Sequence, residues 1–193
     1  MNRIAELDAI IEQYNLNKHP FYTEWREGTL PMPKLQDYAN QYGEFVATIA
    51  AGWETLGQPK YAADERYHEE LWHDFRTAIH AAEDYAPHPQ TIVLRTAAEQ
   101  MFRSAPECAG ALYAFEAQQP HTSQVKLDGL KEHYSVPDTG HEYFRVHAGD
   151  MAEADLLRAH IEKLSDEDFG RCKVACAVLA AAMWSALDGV YRA

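Results

Sequence analysis

Apolar residues recur at helical spacing along almost the whole chain, and prolines and glycines cut that pattern into lengths that suit α-helices. Ile4, Leu7, Ile10, Ile11 and Tyr14 form the first stripe, over residues 3–16. Pro20 opens a shorter segment that runs to Thr29. Pro31 and Pro33 precede a long helix over 34–56, which Gly57 closes. Residues 61–85 end at Pro87 and Pro89, and residues 90–104 end at Pro106. A helix is predicted over 107–134 with a kink at Pro120. The segment SVPDTG then forms a loop, and 141–164 make a further helix. Ser165 begins S-D-E-D, a capping signal with acids in the first turn, so the last helix runs from there to about Tyr191. No stretch alternates as a strand does, and no internal repeat, low-complexity tract or linker interrupts the series. The expectation is an all-α, single-domain bundle of about seven or eight helices over 1–193.

Composition narrows the function classes. At 193 residues the chain is long enough to bury a sizeable core, and a hydrophobic fraction of 47% argues against long disorder. The net charge of −13 repels phosphate and anionic lipid, so no nucleic acid and no membrane is expected as partner. No apolar run is expected to approach the roughly 18 residues of a membrane span. The N-terminal MNRIAELDAIIEQY carries acids where a signal peptide is apolar, which points to a cytoplasmic protein. Cys108, Cys172 and Cys176 make an odd count, unlike a disulfide framework. Cys172 and Cys176 share a helix face, as half a metal site or as two small core thiols.

Polar residues on apolar helix faces locate the chemistry. Glu116 shares a face with Leu112 and Phe115, so its carboxylate must be paired, protonated or bound to metal. His147 lies on a face with Phe144, Met151, Ala154 and Ile161, either as a satisfied core residue or as a ligand. Glu65 and His68, three apart, project from one side of a helix, an arrangement used for carboxylate-bound iron in bundles. Together these are two carboxylates and two imidazoles, a donor set suited to iron or manganese. Glu69, Glu70, His73 and Asp74 read as a solvated face. His80, His88, His121, His133, His141 and His160 read as surface or loop residues. The early aromatics Phe21, Tyr22, Trp25, Tyr38, Tyr42 and Phe45 are either core or cavity lining.

Several segments carry a resemblance. HPFYTEWREGTL (19–30), YANQYGEFV (38–46), HEELWHDF (68–75) and ALYAFEAQQP (111–120) occur in order. KLDGLKEHY (126–134), YFRVHAGD (143–150) and MWSALDGVY (183–191) continue the series. This resembles the haem-oxygenase-like fold family, in its PqqC-like and CADD-like branch. The resemblance implies a helical bundle around a central cavity, without haem. It also implies dioxygen as co-substrate, a small amine, amino-acid or fatty-acid substrate, and a homodimer. By position, Glu65, His68, Glu116 and His147 match iron ligands of the metal-binding members. Those members next have Asp four residues after the His and a second His three beyond; this chain has Met151 and Ala154 there. Asp150 is the one nearby replacement, or else it is solvent-exposed. At most about one tightly held iron per chain is therefore expected, with any second one easily lost.

The CADD-like aminobenzoate synthases use a protein tyrosine as ring source and a lysine as amine source. Tyr22 in "HPFY" and Lys126, ten residues after Glu116, match those positions, although Lys126 also reads as a surface lysine on an amphipathic helix. TenA-like hydrolysis is disfavoured, because the "QDY" of those enzymes is Gln41-Tyr42-Gly43 here. True PqqC is disfavoured too, because its last-helix lysine falls near Leu179. The leading expectation is a non-haem iron oxidase or oxygenase. The alternatives are an aminobenzoate synthase, a metal-independent enzyme or small-molecule binder, and a non-catalytic interaction protein.

Overall fold

The computed structural model describes residues 2–193. All eight predicted helices are present, and two of them are each broken once. The order is α1 (Arg3–Gln13), α2 (Pro20–Glu27), α3 (Met32–Thr55), α4 (Pro59–Ala78) and α5 (Pro89–Met101). There follow α6 (Ala105–Glu116), α7 (Gln119–His133), α8 (Glu142–His147), α9 (Ala152–Ile161) and α10 (Asp166–Arg192). Short 3₁₀ turns stand at Leu16–Lys18 and Asp138–His141. Among the described residues there is no strand.

Three boundaries differ from the sequence expectation. Pro120 does not kink a long helix; it lies in the first turn of α7, where its missing N–H costs nothing, and the chain breaks just before it. The helix predicted over 61–85 stops at Ala78, since His80 adopts φ +55°. The loop beyond is held by side-chain amides of α3. Gln36 donates to the Ile79 carbonyl at 2.8 Å, Asn40 to Ala82 at 3.0 Å and Gln41 to Ala86 at 3.1 Å. The third departure lies at 148–151, between α8 and α9. Ala148 turns extended and Gly149 takes φ +79°, a conformation that favours glycine.

The core follows from helical periodicity. Tyr38, Tyr42, Phe45, Ile49 and Trp53 are buried along α3, which packs on α4, α5, α6 and α10. The closest approach is between α6 and α10. A Cβ at Gly110 would sit 1.9 Å from the Cys172 carbonyl oxygen, so only glycine permits that spacing. The three cysteines are free and buried, as core thiols. One apolar stretch is longer than expected: by length and composition α10 could cross a membrane, with a mean hydropathy of 1.6 over its best window. Its packing against α1, α3, α5 and α6 accounts for that composition.

Candidate metal centre

Three helices bring the four predicted ligands toward one place. Glu65 and His68 come from α4, Glu116 from the last turn of α6 and His147 from the end of α8. Ligand atoms of Glu65, His68 and His147 all lie within 4.8 Å of one another. Glu116 is not part of that triad, but it lines the same cavity of about 160 Å³, with His68, His147, Asp150 and Glu153.

His147 is prepared as a ligand. Its Nδ1 donates to the Tyr143 carbonyl at 2.6 Å, and a carbonyl can only accept. The proton is thus fixed on Nδ1, and Nε2 keeps a free lone pair. That Nε2 is buried with no protein partner. Burial, with help from the nearby charge of His68, lowers the His147 pKa to about 3, so the ring is neutral at physiological pH. His68 behaves differently. Burial pulls its pKa down, but the Glu65 hydrogen bond at 3.3 Å and the charges of Glu65, Glu153 and Asp64 outweigh that and raise it. The two imidazole rings stand 4.2 Å apart between centroids.

The carboxylates strain against one another. Glu116 is buried, and its Oε1 has no hydrogen-bond partner. Burial first, then the charges of Glu65 and Glu153, push its pKa well above the ordinary carboxyl range. Glu153 is raised as well, by burial and by the charges of Asp150 and Glu65. A cation would relieve both, and the nitrogen and oxygen donors present fit iron. Asp150 is exposed, on the cavity rim, and its Oδ1 already accepts from the Ala152 amide at 2.9 Å.

A second group of residues lies deeper. Lys126 of α7 is 1% exposed, so the surface reading of it is overturned. Its Nζ has no hydrogen-bond partner and lies 5.1 Å from the Tyr22 ring centroid, 5.4 Å from that of Phe144 and 5.5 Å from that of Tyr42. Burial lowers its pKa to about 7. The Tyr22 hydroxyl hydrogen-bonds that of Tyr38 at 2.8 Å, and burial raises the Tyr22 pKa so that it remains a phenol.

Sequence reasoning missed two features. His141 is buried, with Nδ1 3.4 Å from Asp138, rather than being a surface histidine. Glu153 enters the cavity only because the helix breaks at 148–151. The Ala-Gly-Asp segment there was the available signal.

Comparison with known proteins agrees with this architecture. Residues 47–184 match the haem-oxygenase-like family described as iron-containing redox enzymes, and residues 4–52 match the TENA/THI-4/PQQC family. The chain is 28% identical to a 4-aminobenzoate synthase of Nitrosomonas europaea, covering 97% of this chain and 90% of that one. It is 31% identical to a 4-aminobenzoate synthase of Chlamydia pneumoniae, covering 83% and 79%. Among solved structures, a TenA homologue from P. horikoshii superposes with a TM-score of 0.80 at 14% identity, over 100% and 99% of the two chains. A CADD-like protein from Nostoc punctiforme gives 0.57 at 14% identity, over 97% and 95%. The matched family and the ordered helices together place this chain in the haem-oxygenase-like family of iron-containing redox enzymes.

Proposed function

We propose that the protein is an iron-dependent enzyme that makes 4-aminobenzoate, taking the ring from its own Tyr22 and the amine nitrogen from its own Lys126. The observation that carries this is the burial of Lys126 without a counter-ion or hydrogen-bond partner, its amine against the Tyr22 ring. An unpaired lysine in a core is costly, and a purely structural site would hold an apolar residue. The names of the similar curated proteins support the same product.

The chain's residues divide the work. Glu65, His68 and His147 would hold the iron, with Glu116 on the same cavity. When bound, iron would supply the redox chemistry with dioxygen. The Tyr143 carbonyl orients His147, and Gln119 holds the Tyr143 hydroxyl at 2.8 Å. Tyr38 fixes the rotation of the Tyr22 hydroxyl. Burial keeps an appreciable part of Lys126 as neutral amine near pH 7, the form with a lone pair to donate. The three surrounding rings exclude water and favour the charged form, opposing the effect of burial.

A second reading, oxidation of a small external amine or acid, is favoured by the polar cavity of about 160 Å³ at the triad. Isotope labelling separates the two. Protein grown with ring-labelled tyrosine, loaded with iron and exposed to dioxygen and reductant, should release labelled 4-aminobenzoate and lose mass at Tyr22. Tyr22→Phe and Lys126→Met should release none. No product from the parent, or undiminished product from Lys126→Met, overturns the proposal.

A further inference from the structure

A ladder of touching aromatic rings joins His147 to Tyr22. Between ring centroids, His147 lies 4.4 Å from Tyr143, Tyr143 4.7 Å from Trp72, Trp72 5.9 Å from Tyr38 and Tyr38 6.0 Å from Tyr22. These are the separations of rings in contact. We propose that Trp72 relays single electrons from Tyr22 to the metal centre. The inference rests on the reading above and deepens it, by naming the residue through which Tyr22 is oxidised.

The rings leave little choice of route. Among the described residues, the rings against Tyr143 are those of His147, Trp72 and Phe144. A path through Phe144 and Trp25 also reaches Tyr22, over 5.4, 5.9 and 6.2 Å. A benzene ring is far harder to oxidise than an indole or a phenol. An electron can therefore rest on Trp72 or Tyr38 but must tunnel past Phe144. Every path from Tyr143 that avoids phenylalanine crosses Trp72. That indole is 2% exposed, and its Nε1 donates to the Ala39 carbonyl at 2.8 Å. A carbonyl is too weak a base to take the proton, so an oxidised Trp72 keeps it and regains its electron from the next ring.

Each transfer balances. Trp72 gives one electron, through Tyr143 and His147, to the metal centre that dioxygen has oxidised, and is left as an indole radical cation. The phenol pair of Tyr22 and Tyr38, hydrogen-bonded at 2.8 Å, returns one electron to Trp72. The O–H bond of Tyr22 breaks, and a phenoxyl radical remains on Tyr22. The proton goes to the amine of Lys126, whose Nζ lies 5.1 Å from the centroid of the Tyr22 ring. Burial leaves part of that amine neutral near pH 7 and able to accept it.

Flash oxidation of the full chain tests this without iron. Asp150 is exposed on the rim of the cavity that His147 lines, so the thiol of Asp150→Cys can carry a ruthenium photo-oxidant there. The three native cysteines are buried and stay unlabelled. Transient absorption should show an indole radical that decays into a late phenoxyl signal, and Tyr22→Phe should remove that late signal. Trp72→Phe should remove it too, Trp72→Tyr should restore it, and Trp25→Phe should leave it unchanged. If Trp72→Phe does not fold, Tyr143→Phe breaks the same path one ring earlier and should have the same effect. An undiminished late signal in Trp72→Phe, no rescue by Trp72→Tyr, or loss of the signal in Trp25→Phe overturns the relay. A relay intact by flash, in a protein that yields no 4-aminobenzoate when loaded with iron, keeps the relay and overturns the reading on which it rests.

Discussion

The two functional regions of this bundle are built in opposite ways. Around Lys126 the surroundings are apolar: rings of Tyr22, Tyr42 and Phe144 enclose one amine with no polar partner. Around His147 the wall is crowded with carboxylates and imidazoles and open enough to hold a cavity. The first region is assembled mainly by helices that run unbroken past it, α2, α3 and α7, with α8 adding Phe144. The second lies where helices end: α6 stops at Glu116, α8 at His147, and α9 starts just before Glu153. Continuous helices suit a region that must stay dry. Helix ends suit a charged one, because they allow side chains from several segments to converge. The contrast is chemical: the Lys126 amine is enclosed by rings, while the triad borders a polar cavity.

The largest expected effect comes from His147→Ala. It removes the neutral imidazole whose Nε2 has no other partner, and should weaken the tight iron by at least about a hundredfold. Lys126 should be unaffected, so its pH signature should survive. Iron analysis and a pH series of thermal melts on one variant check both halves. Retained tight iron would break the comparison at its polar end.

Lys126→Met should abolish product and yet stabilise the fold, by roughly 1–4 kcal/mol near neutral pH, because an apolar chain of similar length replaces an unpaired buried amine. The pH dependence has a definite sign. Lys126 titrates near 7 in the fold and at 10.5 when exposed. Between those values the unfolded chain holds more protons, so the parent should gain stability as pH rises from about 7 to 10.5. The variant should lose that slope. A destabilised variant with the slope intact would mean that Lys126 is solvated or paired.

Gly110→Ala tests whether the two regions depend on the bundle in common. Its added methyl would meet the Cys172 carbonyl at 1.9 Å, forcing α6 from α10 at a cost of roughly 1–3 kcal/mol. Melting should fall with both signatures kept, the iron stoichiometry and the pH slope. A normal Tm would show that α6 and α10 have room to part.

Much of this was legible in the sequence, and the limits have physical causes. Helical periodicity and proline spacing locate the eight helical segments, though not the two breaks within them, because burial of an apolar stripe is set by local spacing. Glu116 and His147 stand out as polar groups among apolar neighbours, and Glu65 and His68 by their spacing; the fold converges Glu65, His68 and His147, and His68, Glu116 and His147 line one cavity. Lys126 was not legible as buried, since only the assembled bundle shows which face of α7 turns inward. Glu153 was hidden by the assumption that 141–164 was one helix. Gly149 could have continued a helix at a cost of only about 1 kcal/mol, so its left-handed turn is decided by tertiary packing.

The smallest effect, and the finest probe of the polar region, is Asp150→Ala. Asp150 is exposed on the cavity rim, and one carboxylate oxygen already closes an Asx turn on the Ala152 amide at 2.9 Å. Loss of that turn should cost about 0.5–1 kcal/mol of stability, in the range of a helix-capping contact. The tight iron should remain, because Asp150 is not among the three groups that converge within 4.8 Å. Asp150 lines the cavity rim, so any second, easily lost iron should be held several-fold less well. If Asp150→Ala removes the tight class, the iron is centred on the loop between α8 and α9, and the triad is not its principal holder.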